Sequence, residues 1–281
     1  ARCLLLNGEA PVVESPRFRY FYGDVRKAGT LRPLFENPEH REQIVLHTAA
    51  LISIDRELDP FLRDVNVLGT QNILCLCREF SVKRLVYVCS VHAIPEPPAG
   101  VPATEPMQFA VEAVEGGYAK TKAEAAQAVR NAAIGGLDAV TVFPSGIIGP
   151  YDDGRNHLVQ LARKFIDGRL PACVRGGFDF VDVRDVAIGC LLAAHRGRSV
   201  EGYILSGRYA SVHELLSMIG RSCNRKAPCA LPIGVAKSAV PLIHLAAKLA
   251  GKRPLYTRYS LDTLAAHSHF SLGQGSRASK T

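Results

Sequence analysis

Arg84-Leu85-Val86-Tyr87-Val88-Cys89-Ser90 holds an unbroken apolar run, Leu85 to Cys89, that stops at a small polar residue. A strand with one wet face alternates apolar and polar residues, whereas a solid run of β-branched and aromatic residues is buried on both faces. Strands of that kind belong to parallel sheets, whose crossover helices cover both sides. The pattern recurs outward from this stretch. Arg2–Leu6, Phe18–Tyr22 and Gln43–Thr48 precede it, and Asp138–Phe143, the extended Phe178–Asp182 and the short Tyr203–Leu205 follow it. Helix-forming stretches fall between them: Arg26–Phe35 with Thr30 as a candidate cap, Asp64–Phe80, Tyr118–Ala133, His157–Ile166 and Val183–Ala194. Ser211–Ile219 opens on a Ser cap followed by Glu214, the pattern of a capping box. The sequence therefore predicts an α/β chain built on a doubly wound parallel sheet. Such sheets bind ligands at the carboxyl ends of their strands. Asp24, Thr48, Ser90 and Ser145 lie just past four of those ends.

The alternation holds to about Pro150 and then loosens. We expect one domain over residues 1–149, with returns near 178–206, and a smaller substrate lobe made of 150–177 and 207–281. The net charge is +8, and most of the excess falls after Met218. It includes no basic run and no interleaved aromatic platform, so no nucleic-acid partner is expected. The apolar stretch Ala227–Ala250 is broken by Pro232, Lys237, Pro241, His244 and Lys248, so no stable membrane insertion is expected. The 8 cysteines form no C-x-x-C pair. They read as small buried thiols in a reducing compartment, which with the lack of a visible signal peptide points to the cytoplasm. The chain starts at Ala1 and its methionines are Met107 and Met218, so its natural start is expected to be missing or processed.

Tyr118 and Lys122 stand four apart on a helix and share a face. An ammonium fixed beside a phenol favours the phenolate and makes the pair a proton donor and acceptor near neutral pH. The plain alternative is a surface Tyr and a surface Lys on a charged helix. Four other residues invite a catalytic reading and receive a structural one. His47 is expected to be buried and hydrogen-bonded, and His92 to shape the pocket. Asp182 and Asp185 are expected to serve as a helix cap and a loop anchor. No metal site is expected.

Taken together, Gly23-Asp24-Val25, His47-Thr48-Ala49-Ala50, Asn66-Val67-Leu68-Gly69-Thr70, Leu85 to Ser90, Tyr118 with Lys122, Pro144 to Pro150 and Phe180 to Ala187 resemble the extended short-chain dehydrogenase/reductases. The branch they are most similar to holds the dihydroflavonol reductases and 3-beta-hydroxysteroid dehydrogenases. The resemblance implies a Rossmann-like sheet and NADP or NAD as cofactor. It implies a carbonyl or alcohol substrate, small and hydrophobic, and a possible homodimer. It casts Ser90, Tyr118 and Lys122 as a catalytic triad. Asp24 and Val25 would lie at the adenine, Thr48, Ala49 and Ala50 along the cofactor, and Pro144, Ser145, Gly146 and Ile147 at the nicotinamide. Tyr118 and Lys122 would also hold the cofactor ribose.

The family's Gly-x-x-Gly-x-x-Gly turn is not found in the sequence. The chain reads as though it begins at the family's second strand, leaving the phosphate site unbuilt and two strand edges unjoined. That strand ends near Leu6-Asn7 with no acid before Glu9, which leans to NADP over NAD. Two other functions remain open: a nucleotide-sugar epimerase or dehydratase, and a non-catalytic dinucleotide-binding protein. Phe143-Pro144-Ser145 favours the reductase reading over the epimerase, and the retained Tyr118 favours it over the binding protein. The loop His92–Pro106 and the segment Ile233–Leu249 are expected to line the pocket.

Overall fold

A computed structural model of the chain describes residues 1–11, 13–39, 41–53, 56–98, 101–106, 108–152, 157–249, 257–265 and 270. In order, the first half holds β1 (Arg2–Leu5), β2 (Arg19–Tyr22), α1 (Ala28–Phe35), β3 (Ile44–His47), α2 (Pro60–Arg63), α3 (Gly69–Glu79), β4 (Arg84–Val88), α4 (Gly117–Ile134) and β5 (Ala139–Pro144). The second half holds β6 (Gly146–Ile148), α5 (His157–Ile166), β7 (Ala172–Val174), β8 (Gly177–Asp182), α6 (Val183–Arg196), β9 (Gly202–Leu205), β10 (Arg208–Ser211), α7 (Val212–Cys223), β11 (Cys229–Leu231), α8 (Ile233–Leu249) and α9 (Arg258–Ala265).

The central sheet is parallel, in the order β3-β4-β5-β9. Its two middle strands explain their own composition. Leu85, Tyr87, Ala139 and Phe143 enter one core, shared with Ile73, Leu74 and Cys77 of α3 and with Ala119, Ala126 and Val129 of α4. Val86, Val140 and Val142 enter another, shared with Val186, Cys190, Ala193 and Ala194 of α6. Alternate residues of one strand thus feed opposite cores, so both sets are almost wholly apolar, the buried Thr141 of β5 being the exception. Each fully buried Leu or Val contributes about 1.5–3 kcal/mol by leaving water.

β1 and β2 pair with each other in parallel and form a separate two-stranded sheet. β1 shares no ladder with β3, and each has an unpaired edge among the described residues. On β3, Ile44 and Leu46 are 40% and 44% exposed, unlike the sealed β4 and β5. A third core, of Leu161, Phe165, Cys173, Leu216, Val240 and Leu261, joins α5, β7, α7, α8 and α9. The remaining sheets are β10-β8-β6, with β8 antiparallel to β10 and parallel to β6, and the parallel pair β11-β7.

Local chemistry sets several boundaries. The second helical run starts at Pro60 rather than Asp64, because the Asp59 carboxylate accepts the Phe61 N–H at 2.9 Å and Pro60 occupies the first helical position. One wider turn, Asp64–Leu68, links α2 to α3 and buries Asn66. Thr30 lies inside α1 and is not its cap. Its hydroxyl accepts the Asp24 N–H at 3.0 Å and donates to the Lys27 carbonyl at 2.8 Å, which secures the turn before the helix. Ser211 caps α7 by accepting the Glu214 N–H at 3.1 Å. Asp182 caps α6 by accepting the Arg184 N–H at 2.8 Å. Among the described residues Asp185 anchors no loop. It is exposed in the first turn of α6, where an acid suits the helix dipole.

The expectation of uniformly buried thiols is corrected. Cys75 and Cys229 are exposed and Cys3 and Cys223 half-buried, because each sits where its element meets solvent. Among the described residues no helix is long and apolar enough to cross a membrane, and no group of three potential metal ligands occurs.

Candidate active site

Since β3, β4 and β5 are parallel, Thr48, Ser90 and Ser145 leave the sheet at one edge. α4 begins at that edge. Gly116 makes the entry with φ +90°, a conformation that side chains resist. At Gly117 an added Cβ would lie 2.4 Å from the Glu57 carbonyl oxygen, so only glycine lets the helix start so close to that segment. The first turns of α4 then carry Tyr118 and Lys122, both buried.

Ser90 follows β4 directly, and its hydroxyl accepts the His92 N–H at 3.3 Å. The His92 ring meets Tyr118 edge-on, with centroids 6.0 Å apart, and stacks on Phe178 at 5.4 Å. Lys122 extends beneath this group. Its Nζ donates to the Val88 carbonyl at 2.7 Å and lies 4.6 Å from the centre of the Tyr87 ring. The Cys89 thiol donates to the Lys122 carbonyl at 3.5 Å. Ser90, Tyr118 and Lys122 therefore gather where the end of β4 meets the start of α4.

Burial governs the charges here. It pushes Lys122 down to about 8, an effect that Cys89 opposes. It also pushes His92 down to about 4, so this imidazole is neutral at pH 7. His47 falls to about 3 through burial and the charge of Lys122, and it shares a hydrogen bond of 3.0 Å with the Thr70 hydroxyl. Lys122 has no salt-bridge partner among the described residues.

The expected cofactor residues divide into two groups. Pro144 and Ser145 are buried at the end of β5, and Gly146 and Ile147 continue into β6. The Ser145 N–H donates to Leu205 at 3.0 Å, while its hydroxyl is buried with no hydrogen-bond partner. Thr48 and Ala50 are exposed past β3, with Ala49 half-buried. Asp24 and Val25 lie apart from the triad, in the turn after β2. The Arg26 guanidinium grips the Asp24 carboxylate at 2.6 Å and holds it below the usual range, and the Val25 carbonyl accepts from Asn72 at 2.8 Å. Glu9 folds back so that its carboxylate accepts the Leu6 N–H at 3.1 Å, which returns an acid to the end of β1.

A cleft of about 540 Å³ opens beside His92. Val91, Ile94, Pro95, Ala103 and Phe178 supply apolar wall, and Arg56, 3.6 Å from Glu115, stands at its rim. The loop after Ser90 lines it as expected. Of the described lining residues none comes from α8, while α9 supplies Asp262 and Thr263. A second cavity, of about 380 Å³, lies between Gln108–Ala110 and the far half of α4, away from Tyr118.

Asn66 received no role from the sequence, yet it ties the site together. Its side chain accepts the Leu51 N–H at 2.8 Å, donates to the Leu51 carbonyl at 3.0 Å and donates to the Thr121 hydroxyl at 3.0 Å. It thus fastens the segment after β3 to α4. The available signal was an amide side chain in register with the apolar residues Val67, Ile73 and Leu74 of the same helical run.

The family model for the NAD dependent epimerase/dehydratase family matches residues 6–205. Sterol demethylase protein B of Methylococcus capsulatus is 34% identical over 200 residues, covering 70% of this chain and 59% of that protein. A 4-hydroxy-2-methyl-3-oxo-4-farnesyl-3,4-dihydroquinoline-1-oxide ketoreductase of Stigmatella aurantiaca is 31% identical over 227 residues, covering 75% of this chain and 66% of that protein. The chain thus spans less than two thirds of the length of these curated relatives. The crystal structure of gox2253 superposes with a TM-score of 0.80 at 28% identity, over 99% of this chain and 84% of that one.

Proposed function

Because this chain belongs to the NAD dependent epimerase/dehydratase family, we propose that it is an oxidoreductase that reduces a carbonyl, or oxidises the corresponding alcohol, with Ser90, Tyr118 and Lys122 as its catalytic residues. One observation carries this reading. Lys122 is a buried cation with no salt-bridge partner among the described residues, one helical turn from a buried phenol. An unpaired charge inside a protein is costly, and its use is the field it exerts on Tyr118.

The Ser90 hydroxyl donates a hydrogen bond to the substrate oxygen and stabilises the charge that develops there. Tyr118 gives its proton to that oxygen during reduction and takes it back during oxidation. Lys122 stabilises the phenolate in between. Bound NAD or NADP supplies or accepts the hydride. Thr48, Ala49, Ala50, Asp24 and Val25 would hold its adenosine side. Pro144, Ser145, Gly146 and Ile147 would hold its nicotinamide side, with Tyr118 and Lys122 at the ribose between. The unpartnered Ser145 hydroxyl fits a cofactor polar group at that position. No Gly-rich strand-to-helix turn occurs among the described residues, so no residue is assigned to the phosphates. The Glu9 carboxylate at the end of β1 supports NAD as readily as the sequence supports NADP.

The cleft beside His92 has one apolar wall, of Val91, Ile94, Pro95, Ala103 and Phe178, which supports a small substrate with a hydrophobic part, and the third core supports 150–177 and 207–281 as the lobe that covers it. Tyr118→Phe tests the reading. Single-turnover hydride transfer should fall at least about 100-fold, the usual worth of a positioned acid, while cofactor affinity is kept. Unchanged transfer in Tyr118→Phe would remove the phenol from the mechanism.

A further inference from the structure

Lys122 is held in an unusual way for a buried cation. The titratable groups that face it are Tyr87 on β4, Cys89 directly after β4, Tyr118 on α4 and His47 on β3. Burial pushes the Cys89 thiol up to about 11 and His47 down to about 3, and it raises Tyr87 well above its ordinary value. Those three are uncharged near neutral pH. What answers the ammonium is one carbonyl, that of Val88 at 2.7 Å, and the face of the Tyr87 ring at 4.6 Å.

We propose that Tyr87 is a positioning residue for Lys122: the face of its buried ring stands in for a counter-ion and holds the ammonium one turn below Tyr118. The proposal rests on the role given to Tyr118 and Lys122 above. An aromatic face attracts a cation through its quadrupole. A carboxylate would hold Lys122 more tightly but would cancel the positive field that the phenol needs. A ring carries no net charge, so it holds the ammonium and leaves that field in place. The ring is itself fixed. Tyr87 is fully buried, and the His47 ring packs on it at 5.5 Å. His47 is set by its bond to Thr70, whose hydroxyl donates to the Asn66 carbonyl at 2.7 Å. The Tyr87 hydroxyl is directed to Thr70 and Cys89 and not to Lys122, so it is the ring face that meets the ammonium.

Replacing Tyr87 by phenylalanine, and then by phenylalanines carrying one, two and three ring fluorines, drains electron density from the ring face with little change in volume. The readout is the titration of the Lys122 Nζ by NMR, assigned with Lys122→Arg. Tyr87→Phe should keep the midpoint within about half a unit, and the fluorinated series should lower it stepwise by about one unit in all. Tyr87→Leu should lower it at least as far. A midpoint that stays level or rises along the fluorinated series overturns the proposal, because a purely structural ring would not respond to fluorination. The measurement uses the protein without cofactor or turnover. An enzyme that proves inactive on carbonyls leaves this result standing, and a level series leaves the reductase reading standing.

Discussion

Lys122→Met should stabilise the protein while abolishing the activity proposed for it. Burial moves Lys122 from its ordinary 10.5 to about 8, the net effect of every contact it makes in the folded chain. The unfolded chain therefore holds this proton more tightly than the folded one. Below pH 8 the folded protein carries the full penalty of a buried charge, about 2.5 pH units at about 1.4 kcal/mol each, or about 3 kcal/mol. As pH rises from about 8 to 10.5 the folded protein sheds the proton first, its stability climbs and the penalty disappears. Methionine matches the length of the lysine stem without the charge, so the variant never bears this cost. It loses the hydrogen bond to Val88, worth about 1 kcal/mol. The expected gain at pH 7 is therefore about 2 kcal/mol, shrinking to zero or below near pH 10.5. Urea titrations of both proteins at pH 7, 9 and 10.5 measure it, and the difference between them cancels the other titrating groups. A variant less stable than wild type at pH 7, or a gap indifferent to pH, would refute the reasoning.

Two further outcomes follow from the fold. Asn66→Ala removes one buried and two part-buried hydrogen bonds that join Leu51 to Thr121, and should cost about 2–4 kcal/mol in urea unfolding; a loss under about 0.5 kcal/mol would mean that the amide fastens nothing. Unpaired edges on β1 and β3, with Ile44 and Leu46 partly exposed, should drive self-association with rising concentration, and Leu46→Lys should reduce it. Sedimentation velocity decides: a concentration-independent monomer in wild type, or equal association in both proteins, rejects the edge as the cause.

The central sheet was legible because β4 and β5 feed two cores and so carry apolar residues at nearly every position, Arg84 and Thr141 apart. The caps at Asp182 and Ser211 were legible because a cap is a local event. Strands β6, β7, β10 and β11 were not, since three or four residues carry no period and their pairing is decided by partners far along the chain. Of the site, the grouping of Tyr118, Lys122 and Ser90 could be read from helical spacing and a strand end. The roles of Asn66 and Tyr87 could not. Asn66 works through Leu51 and Thr121, 15 and 55 residues away, and Tyr87 looks like any other aromatic in a buried strand. Asp185 and the exposed Cys75 and Cys229 misled because composition says nothing about which side of an element meets water.

The separate β1–β2 sheet gives the molecule a seam. Its corner is fastened to the body by side chains, through α1 packed on α3 and the Asn72 bond to Val25, while no backbone ladder crosses from β1 to β3. Opening that corner breaks none of the hydrogen bonds of the central sheet, so it costs less than global unfolding. The turn bearing Asp24 and Val25 is on one side of the seam, and Thr48, Ala49 and Ala50 are on the other. A molecule that touches both bridges the seam, and its binding registers as added stability of the whole chain, the corner included.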